Sequence, residues 1–259
     1  MTDRTSVHHA AASGFGAAAE AYQHARPDYP AALADWLRDE LGLAPGKVVV
    51  DLGAGTGKFT PLLGATGARL VAVEPVEAMR AELAAAHPDV EALAGEAERL
   101  PLADASVDAI VCAQSFHWFA KPAALVEMRR VLKPGGALGL VWNVRDARVA
   151  WVAALTTILD RYQGDAPRHE SGQWRALFPA PGFTPLSERR FAYEHVGPPE
   201  RIIVERGLSV SFIAALPAGE QARVADEIRA LIAATPSLAG RATVTFPYLT
   251  HAHACRRRD

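Results

Sequence analysis

The residues with the clearest chemical potential run from Asp51 to Gly57, directly after the apolar segment Val48-Val49-Val50. This segment predicts a strand that is buried on both faces. Glycines then follow at every second position, Gly53, Gly55 and Gly57. Glycine tolerates positive φ and lets a ligand approach the backbone without meeting a Cβ atom. The pattern therefore predicts a strand–loop–helix unit with a ligand held at the carboxyl end of the strand.

Two carboxylates indicate what kind of ligand this loop binds. The spacing G-x-G-x-G differs from the dinucleotide fingerprint G-x-G-x-x-G, and Asp51 stands just before the first glycine. A carboxylate there repels a pyrophosphate but suits an ammonium or sulfonium group. Glu74 ends the second apolar run, residues 69–74, where a carboxylate can accept both hydroxyls of a ribose. S-adenosylmethionine, a nucleoside with a cationic and phosphate-free tail, fits these requirements.

Five segments carry a family resemblance. Residues 51–57 and 71–75 resemble motifs I and II of the class I S-adenosylmethionine-dependent methyltransferases. Three further segments are similar to the small-molecule branch of that superfamily: 95–101, 107–119 and 132–136. The run Phe116-His117-Trp118-Phe119 and the segment 22–30 look most like the group that contains the trans-aconitate-type methyltransferases.

This resemblance implies a cofactor site built from the glycine loop, the following strand ends and the N-terminal region. Its expected members are Tyr22, Arg26, Asp51, Gly53, Ala54, Gly55, Thr56, Gly57, Glu74, Pro75, Glu96, Ala97 and Gln114. Asp51 is expected to order the loop amides or a water molecule near the methionine ammonium. Glu96 and Ala97 correspond to the family's adenine contact, with Glu96 where Asp is more usual.

The expected acceptor site lies beyond the fourth and fifth strands. His117 is the candidate catalytic residue, as a general base or as an anchor for the acceptor; the alternative is a histidine that only holds its loop by a local hydrogen bond. Trp118, Trp142 and Asn143 are the candidate substrate-binding residues, by their position at the sheet crevice. Arg206 and Tyr248 could reach the acceptor, but a solvated or structural role is the alternative for each.

The composition and charge of the chain indicate which classes of partner are not expected. The 259 residues carry a net charge of −2 with 50% hydrophobic residues, so no basic field attracts nucleic acid. No apolar run approaches a membrane span and no signal pattern opens the chain, so a cytoplasmic monomer or homodimer is expected. The adjacent His8 and His9 make a poor metal site, and no metal is predicted.

The hydrophobic pattern predicts an α/β, Rossmann-like, doubly wound sheet of seven strands, of which the last is antiparallel as the resemblance implies. N-terminal helices are predicted over 15–25 and 31–41. The predicted strands are 47–52, 69–74, 90–95, 107–113, 137–144, 184–195 and 242–254. The remaining predicted helices are 58–66, 76–86, 121–132, 149–162, 199–214 and 218–234.

One domain is predicted, in four parts. These are an N-terminal helical cap (1–44), a cofactor-binding core (45–146), a lid-like helical insertion (147–182) and a C-terminal part of the sheet with its helices (183–259).

The expected activity is methylation of a small organic acceptor, as O-methylation of a carboxylate or of a phenol or quinol. Methyl transfer from a sulfonium needs mainly alignment and exclusion of water, so a general base is optional. Two alternatives stay open: a non-catalytic S-adenosylmethionine-binding or regulatory protein, and a nicotinamide-dependent oxidoreductase. The latter calls for G-x-G-x-x-G, which the loop lacks.

Overall fold

A computed structural model describes residues 26–165 and 167–259 of the chain. The helix predicted over 15–25, together with Tyr22, lies outside the described residues. None of the helices in the described part is both long and apolar enough to cross a membrane.

Seven strands form one sheet in the order β3-β2-β1-β4-β5-β7-β6. Strand β7 is antiparallel to both of its neighbours, whereas the pairs from β3 to β5 are parallel. The predicted doubly wound sheet with an antiparallel last strand is thus confirmed. The strands are β1 (Val48–Leu52), β2 (Arg69–Val73), β3 (Glu91–Leu93), β4 (Val107–Ala113), β5 (Leu132–Arg145), β6 (Ser187–Gly197) and β7 (Val244–Arg256).

Helices cover both faces of this sheet and connect its parallel strands. The α-helices are α1 (Leu33–Asp39), α2 (Thr60–Gly64), α3 (Glu77–Ala86), α4 (Pro122–Val131), α5 (Ala150–Asp160), α6 (Arg206–Leu208), α7 (Ser211–Ala214) and α8 (Ala218–Ala234). Two 3₁₀ turns, Phe116–Trp118 and Gln173–Leu177, and a π-helical turn, Glu200–Glu205, complete the described elements.

The cores follow from the alternation of side chains along the strands. On β1, Val50 and Leu52 pack with β4 and α4 on one face, while Val49 packs against α1 and α2 on the other. A third cluster lies between α5, α8 and the first half of β7. The β1 side chains are at most 2% exposed from Val49 onward, as expected for a parallel strand covered on both faces.

Two predicted elements, the fifth strand and the helix over 199–214, differ from the structure. Strand β5 begins at Leu132 rather than 137, because a bulge opposite β4 shifts the register between Val107 and Ala109 and takes the glycines into the strand. The helix predicted over 199–214 is divided into a π-turn and two short helices. The π-turn ends directly before Arg206, which lines both cavities described below.

The segment predicted as a lid is partly integrated into the sheet's core. Trp174 is 2% exposed and lies 4.6 Å from the Trp142 ring of β5, centroid to centroid. Helix α5 packs against α8. The lid-like character of residues 147–182 stays a prediction.

Candidate functional site

The glycine loop forms a sharp turn between β1 and α2. Gly53, Gly55 and Gly57 have φ of +68°, +58° and +85°, which L side chains rarely adopt. A Cβ atom on Gly53 would lie 2.7 Å from the Ser115 Cβ, so the loop packs directly against the end of β4. Gly57 faces the His87 ring instead, where an added Cβ would come within 2.8 Å, and it does not line the cavity.

Asp51 is buried beneath this loop. Its Oδ2 accepts a hydrogen bond of 3.1 Å from the Thr60 hydroxyl, and its Oδ1 has no partner among the described residues. Burial raises the pKa of Asp51 from 3.8 to about 7, and the negative charge of Glu74 adds to this rise. The hydrogen bond from Thr60 acts in the opposite direction and lowers the pKa. A buried carboxylate oxygen without a partner is costly unless a ligand supplies a donor or a positive charge.

Glu74 joins β2 to the loop. Its Oε2 accepts from the Gly55 amide and its Oε1 from the Val76 amide, each at 2.9 Å. Burial raises its pKa, although both backbone hydrogen bonds oppose the rise. Each carboxylate oxygen retains a second lone pair, so Glu74 can still accept hydroxyl donors from a ligand.

A cleft with about 1210 Å³ of space opens above the loop at the carboxyl ends of the strands. Of the residues expected at the cofactor, Arg26, Asp51, Gly53, Ala54, Gly55, Thr56, Glu74, Pro75, Glu96, Ala97 and Gln114 line this cleft. Trp118 and Asn143, expected at the substrate, line it as well. Tyr22 is the expected member that falls outside the described residues.

Gln114, which lines this cleft, has a strained backbone. Its φ of +60° is uncommon for a residue other than glycine. The Gln114 amide donates to the Val141 carbonyl at 2.8 Å, and the next residue, Ser115, donates its hydroxyl to the Leu52 carbonyl at 2.7 Å. These bonds hold the ends of β1, β4 and β5 together, and strain held in this way is typical of functional sites.

A second cavity of about 720 Å³ adjoins the cleft. The two share Arg26, Gln114, Trp118, Asn143 and Arg206. Arginines dominate the charge of the second cavity: its wall carries Arg26, Arg145, Arg168 and Arg206 against a single carboxylate, Glu170.

Two of these arginines retain unused donors. Within the described part of the chain, no hydrogen bond or salt bridge engages the Arg145 guanidinium, and Arg206 Nε is buried without a partner. Arg168, by contrast, forms salt bridges with Asp160 and, at 3.2 Å, with Glu170. Burial, and then repulsion from Arg206, lowers the pKa of Arg145 to about 10. An anion in this cavity would relieve that repulsion.

His117 lies in the wall of the second cavity with its protonation fixed by a neighbour. The Trp142 Nε1–H, which can only donate, donates to His117 Nδ1 at 3.1 Å. Burial lowers the pKa of His117 to about 3, although the Glu170 carboxylate opposes this. The imidazole is therefore neutral near pH 7 with its proton on Nε2. In that state Nε2 can donate a hydrogen bond but cannot accept a proton, which argues against a general base; the bond to Trp142 is consistent with an anchoring role and with the structural alternative.

The two β5 residues expected at the substrate differ in position. Asn143 on β5 connects the N-terminal segment to β7: its Nδ2 donates to the Asp28 carbonyl at 2.9 Å, and its Oδ1 accepts from the Thr250 hydroxyl at 2.6 Å. Trp142 is only 1% exposed and packs mainly in the core, reaching the second cavity by one edge. Tyr248, also 1% exposed, lies in the C-terminal core cluster.

Sequence reasoning missed several residues of these walls. They are Tyr29, Lys58, Phe59, Met79, Ser115, Phe119, Arg145, Arg168 and Glu170. Arg145 had a usable signal, because it follows Asn143 by two positions on the same strand and so points to the same face. The loop residues Arg168 and Glu170 had no such periodicity.

The cleft fits the nucleoside predicted from the sequence. The partnerless Asp51 Oδ1 matches a cationic tail, and the free lone pairs of Glu74 match the ribose hydroxyls. The bare backbone of the glycine loop leaves the space between them open.

Comparisons with known proteins identify the family. Residues 50–140 match the family described as "Methyltransferase domain". An uncharacterized methyltransferase of Mycobacterium tuberculosis (strain H37Rv) is 41% identical over 91% of this chain and 92% of its own. A methyltransferase-like protein of Schizosaccharomyces pombe is 39% identical with the same coverage of 91% and 92%. Among solved structures, one from Anaeromyxobacter dehalogenans, provisionally described as a type II methyltransferase, is 26% identical over 90% of this chain and 97% of its own, with a TM-score of 0.59.

These relatives extend over nearly the full length of both chains. The chain belongs to the class I S-adenosylmethionine-dependent methyltransferases.

Proposed function

We propose that this methyltransferase transfers the methyl group to a carboxylate oxygen of a small organic acid bound in the second cavity. The observation that carries the proposal is the part-buried Arg145, whose guanidinium has no hydrogen-bond or salt-bridge partner within the described residues. Arginine binds carboxylates through two parallel hydrogen bonds, which fixes orientation as well as position. A cavity with this charge selects an anionic acceptor over a neutral phenol or quinol.

The remaining residues position the acceptor and do not activate it. S-adenosylmethionine supplies an electrophilic methyl group on its sulfonium. A carboxylate is already an anionic nucleophile at neutral pH, so the neutral His117 has no proton to remove from it. The His117 Nε2–H instead donates a hydrogen bond to the acid, and Arg145 and Arg206 hold its charge. Such alignment can lower the barrier by roughly 7–11 kcal/mol.

Labelled cofactor tests this proposal directly. The purified protein is incubated with methyl-labelled S-adenosylmethionine and two matched acceptor pools, one of small carboxylic acids and one of phenols and quinols. We expect label in the acid pool, in a product that mild alkali hydrolyses to labelled methanol, as it does a methyl ester. Alkali-stable label from the phenol pool alone would contradict the proposal, and so would label found only in RNA or protein.

The pH dependence of cofactor binding tests the role of Asp51. Because its pKa is about 7 in the free protein, Asp51 is mostly protonated below that pH and must lose a proton to attract a cationic tail. Affinity for S-adenosylmethionine should therefore rise roughly tenfold between about pH 5.5 and pH 7. The ligand's own amino group stays charged over this range. Titration calorimetry at several pH values measures the slope.

The matched variant for that experiment is Asp51→Asn, which keeps the shape of the side chain and removes its titration. Its affinity should be lower at pH 7 and nearly constant over the same range. A slope that persists unchanged in Asp51→Asn would assign the titration to another group.

His117→Phe tests the anchoring role. The change removes the Nε2 donor and keeps an aromatic ring, so the acceptor KM should rise about tenfold, the effect of one lost hydrogen bond to a charged group. The dissociation constant of S-adenosylhomocysteine should stay within about twofold. The wild-type acceptor profile should also show no step near pH 6.5, the usual histidine pKa. A step near pH 6.5 in the parent protein that disappears in His117→Phe would show that His117 acts as a general base.

A further inference from the structure

We propose that His169, His251 and His253 form a binding site for a divalent transition-metal ion of the zinc type. Their ligand atoms all lie within 4.8 Å of one another. The site is separate from the cofactor cleft and does not depend on the identity of the acceptor.

The fold brings these residues together from two distant parts of the chain. His251 and His253 are two positions apart on β7, so their rings point to the same face of the sheet. His169 comes from the loop before the Gln173–Leu177 turn and covers that face. The His169 and His251 rings are 5.4 Å apart, centroid to centroid, in an edge-to-face arrangement.

The ring nitrogens of this cluster lack the hydrogen bonds that buried polar atoms normally make. Both nitrogens of His169 and the Nδ1 atoms of His251 and His253 are buried without a partner among the described residues. Each such atom destabilises the fold unless something binds it. One metal ion would engage a nitrogen from each ring.

Three imidazoles define the class of ion. Histidine nitrogen is a preferred ligand of zinc, copper and nickel, whereas magnesium and calcium prefer oxygen. Three histidines with an open fourth position are a known arrangement for zinc. With Zn–N bonds of about 2.0–2.1 Å, tetrahedral ligand atoms lie about 3.3 Å apart, so small side-chain rotations must draw the rings together.

Two side chains of opposite charge, Glu188 and Arg175, lie beside the histidine cluster. Glu188 on β6 lies 3.8 Å from His253 Nδ1, so a carboxylate stands close enough to offset part of the ion's positive charge. Arg175 opposes the ion, because its Nη2 is 3.5 Å from His253 Nε2. The Arg175 side chain is 45% exposed, so binding of the ion requires it to turn toward solvent, away from its 3.2 Å salt bridge with Glu188.

The consequence of binding concerns the acceptor cavity. His169 lines that cavity beside Arg168 and Glu170. An ion that holds His169 to β7 would fasten this loop against the sheet. The metal would then set the shape of the acceptor cavity without taking part in methyl transfer.

Zinc titration of the untagged full-length protein tests the site. His8 and His9 are first changed to Asn, so that the adjacent N-terminal pair cannot bind the ion. With a chromophoric chelator as competitor, we expect one zinc per chain, and at least tenfold weaker binding in His169→Gln and in His251→Gln. His195→Gln, a part-buried β6 histidine outside the cluster, is the matched control and should bind zinc like the parent protein.

Tryptophan fluorescence locates the ion. The Trp142 ring lies 4.6 Å from the His169 ring, and the Trp174 ring lies 5.1 Å from the His253 ring. Cobalt or nickel should therefore quench the fluorescence of the parent protein saturably, and much less in His169→Gln. Circular dichroism checks that each variant is folded. If the parent protein binds no zinc, or if the folded variants bind as well as the parent, the cluster holds only water and the proposal is wrong.

Discussion

Replacing Arg145 with methionine should lower kcat/KM for the acceptor roughly 30-fold or more, while S-adenosylhomocysteine binds almost as before. The change removes the guanidinium that has no partner among the described residues and keeps an unbranched side chain of similar length. Losing one partner of a buried ion pair typically costs about 2–5 kcal/mol. Steady-state kinetics with a saturating cofactor measure the effect.

The matched control for this experiment is Arg148→Met. Arg148 lies three residues further on, is 75% exposed in its side chain and pairs with Asp146 at 2.7 Å. Exposed ion pairs contribute little, so this variant should keep the parent kinetics. Equal losses in both variants would mean that net charge matters and not the position of Arg145. No loss in either would remove Arg145 from the acceptor site.

The second large effect concerns the cofactor. Glu74→Ala should weaken S-adenosylhomocysteine binding by about 1–3 kcal/mol, which is roughly a 5- to 150-fold change in dissociation constant. The variant loses a charged acceptor for the ligand, and it also frees the Gly55 and Val76 amides that Glu74 holds at 2.9 Å. Glu77→Ala, on the exposed first turn of α3, should leave the affinity unchanged.

A modified ligand distinguishes the two causes. An analogue without one ribose hydroxyl should bind the parent protein less tightly than S-adenosylhomocysteine does. In Glu74→Ala the two ligands should bind with similar affinity, because the partner of that hydroxyl is gone. A penalty of the same size in both proteins would show that Glu74 only shapes the loop. Calorimetry gives all four constants, and thermal unfolding checks that the variant remains folded.

The elements of the sheet were the part of the fold most open to prediction. Strand β4 was predicted over 107–113 and helix α8 over 218–234, and both agree with the structure residue by residue. Their hydrophobic patterns and their flanking turn residues point to the same answer. The glycine bulge at the start of β5 and the π-turn before Arg206 escaped prediction. Both depend on register and packing with elements distant in sequence.

The site residues also differ in how far they could be predicted from the sequence. The cleft-lining residues Asp51, Gly53, Gly55 and Glu74 were predictable because each lies at or directly after the end of a recognisable strand, at a fixed spacing. Arg168 of the second cavity and the histidine cluster were not, because they converge through tertiary folding. His169 stands some eighty residues before its neighbours on β7, and nothing in their spacing indicates that they meet. The orientation of His117 was equally hidden, since it depends on the indole of Trp142.

The wall common to the cleft and the second cavity has a consequence for turnover. Arg26, Gln114, Trp118, Asn143 and Arg206 line both compartments, so the cleft and the second cavity adjoin at these residues, where the proposed transfer requires the two occupants to meet. In the proposed reaction a sulfonium and a carboxylate attract each other before transfer, which favours a ternary complex; couplings of this kind are typically about 1–3 kcal/mol. After reaction the thioether and the ester carry neither charge, so the attraction ends and the two products are free to depart independently.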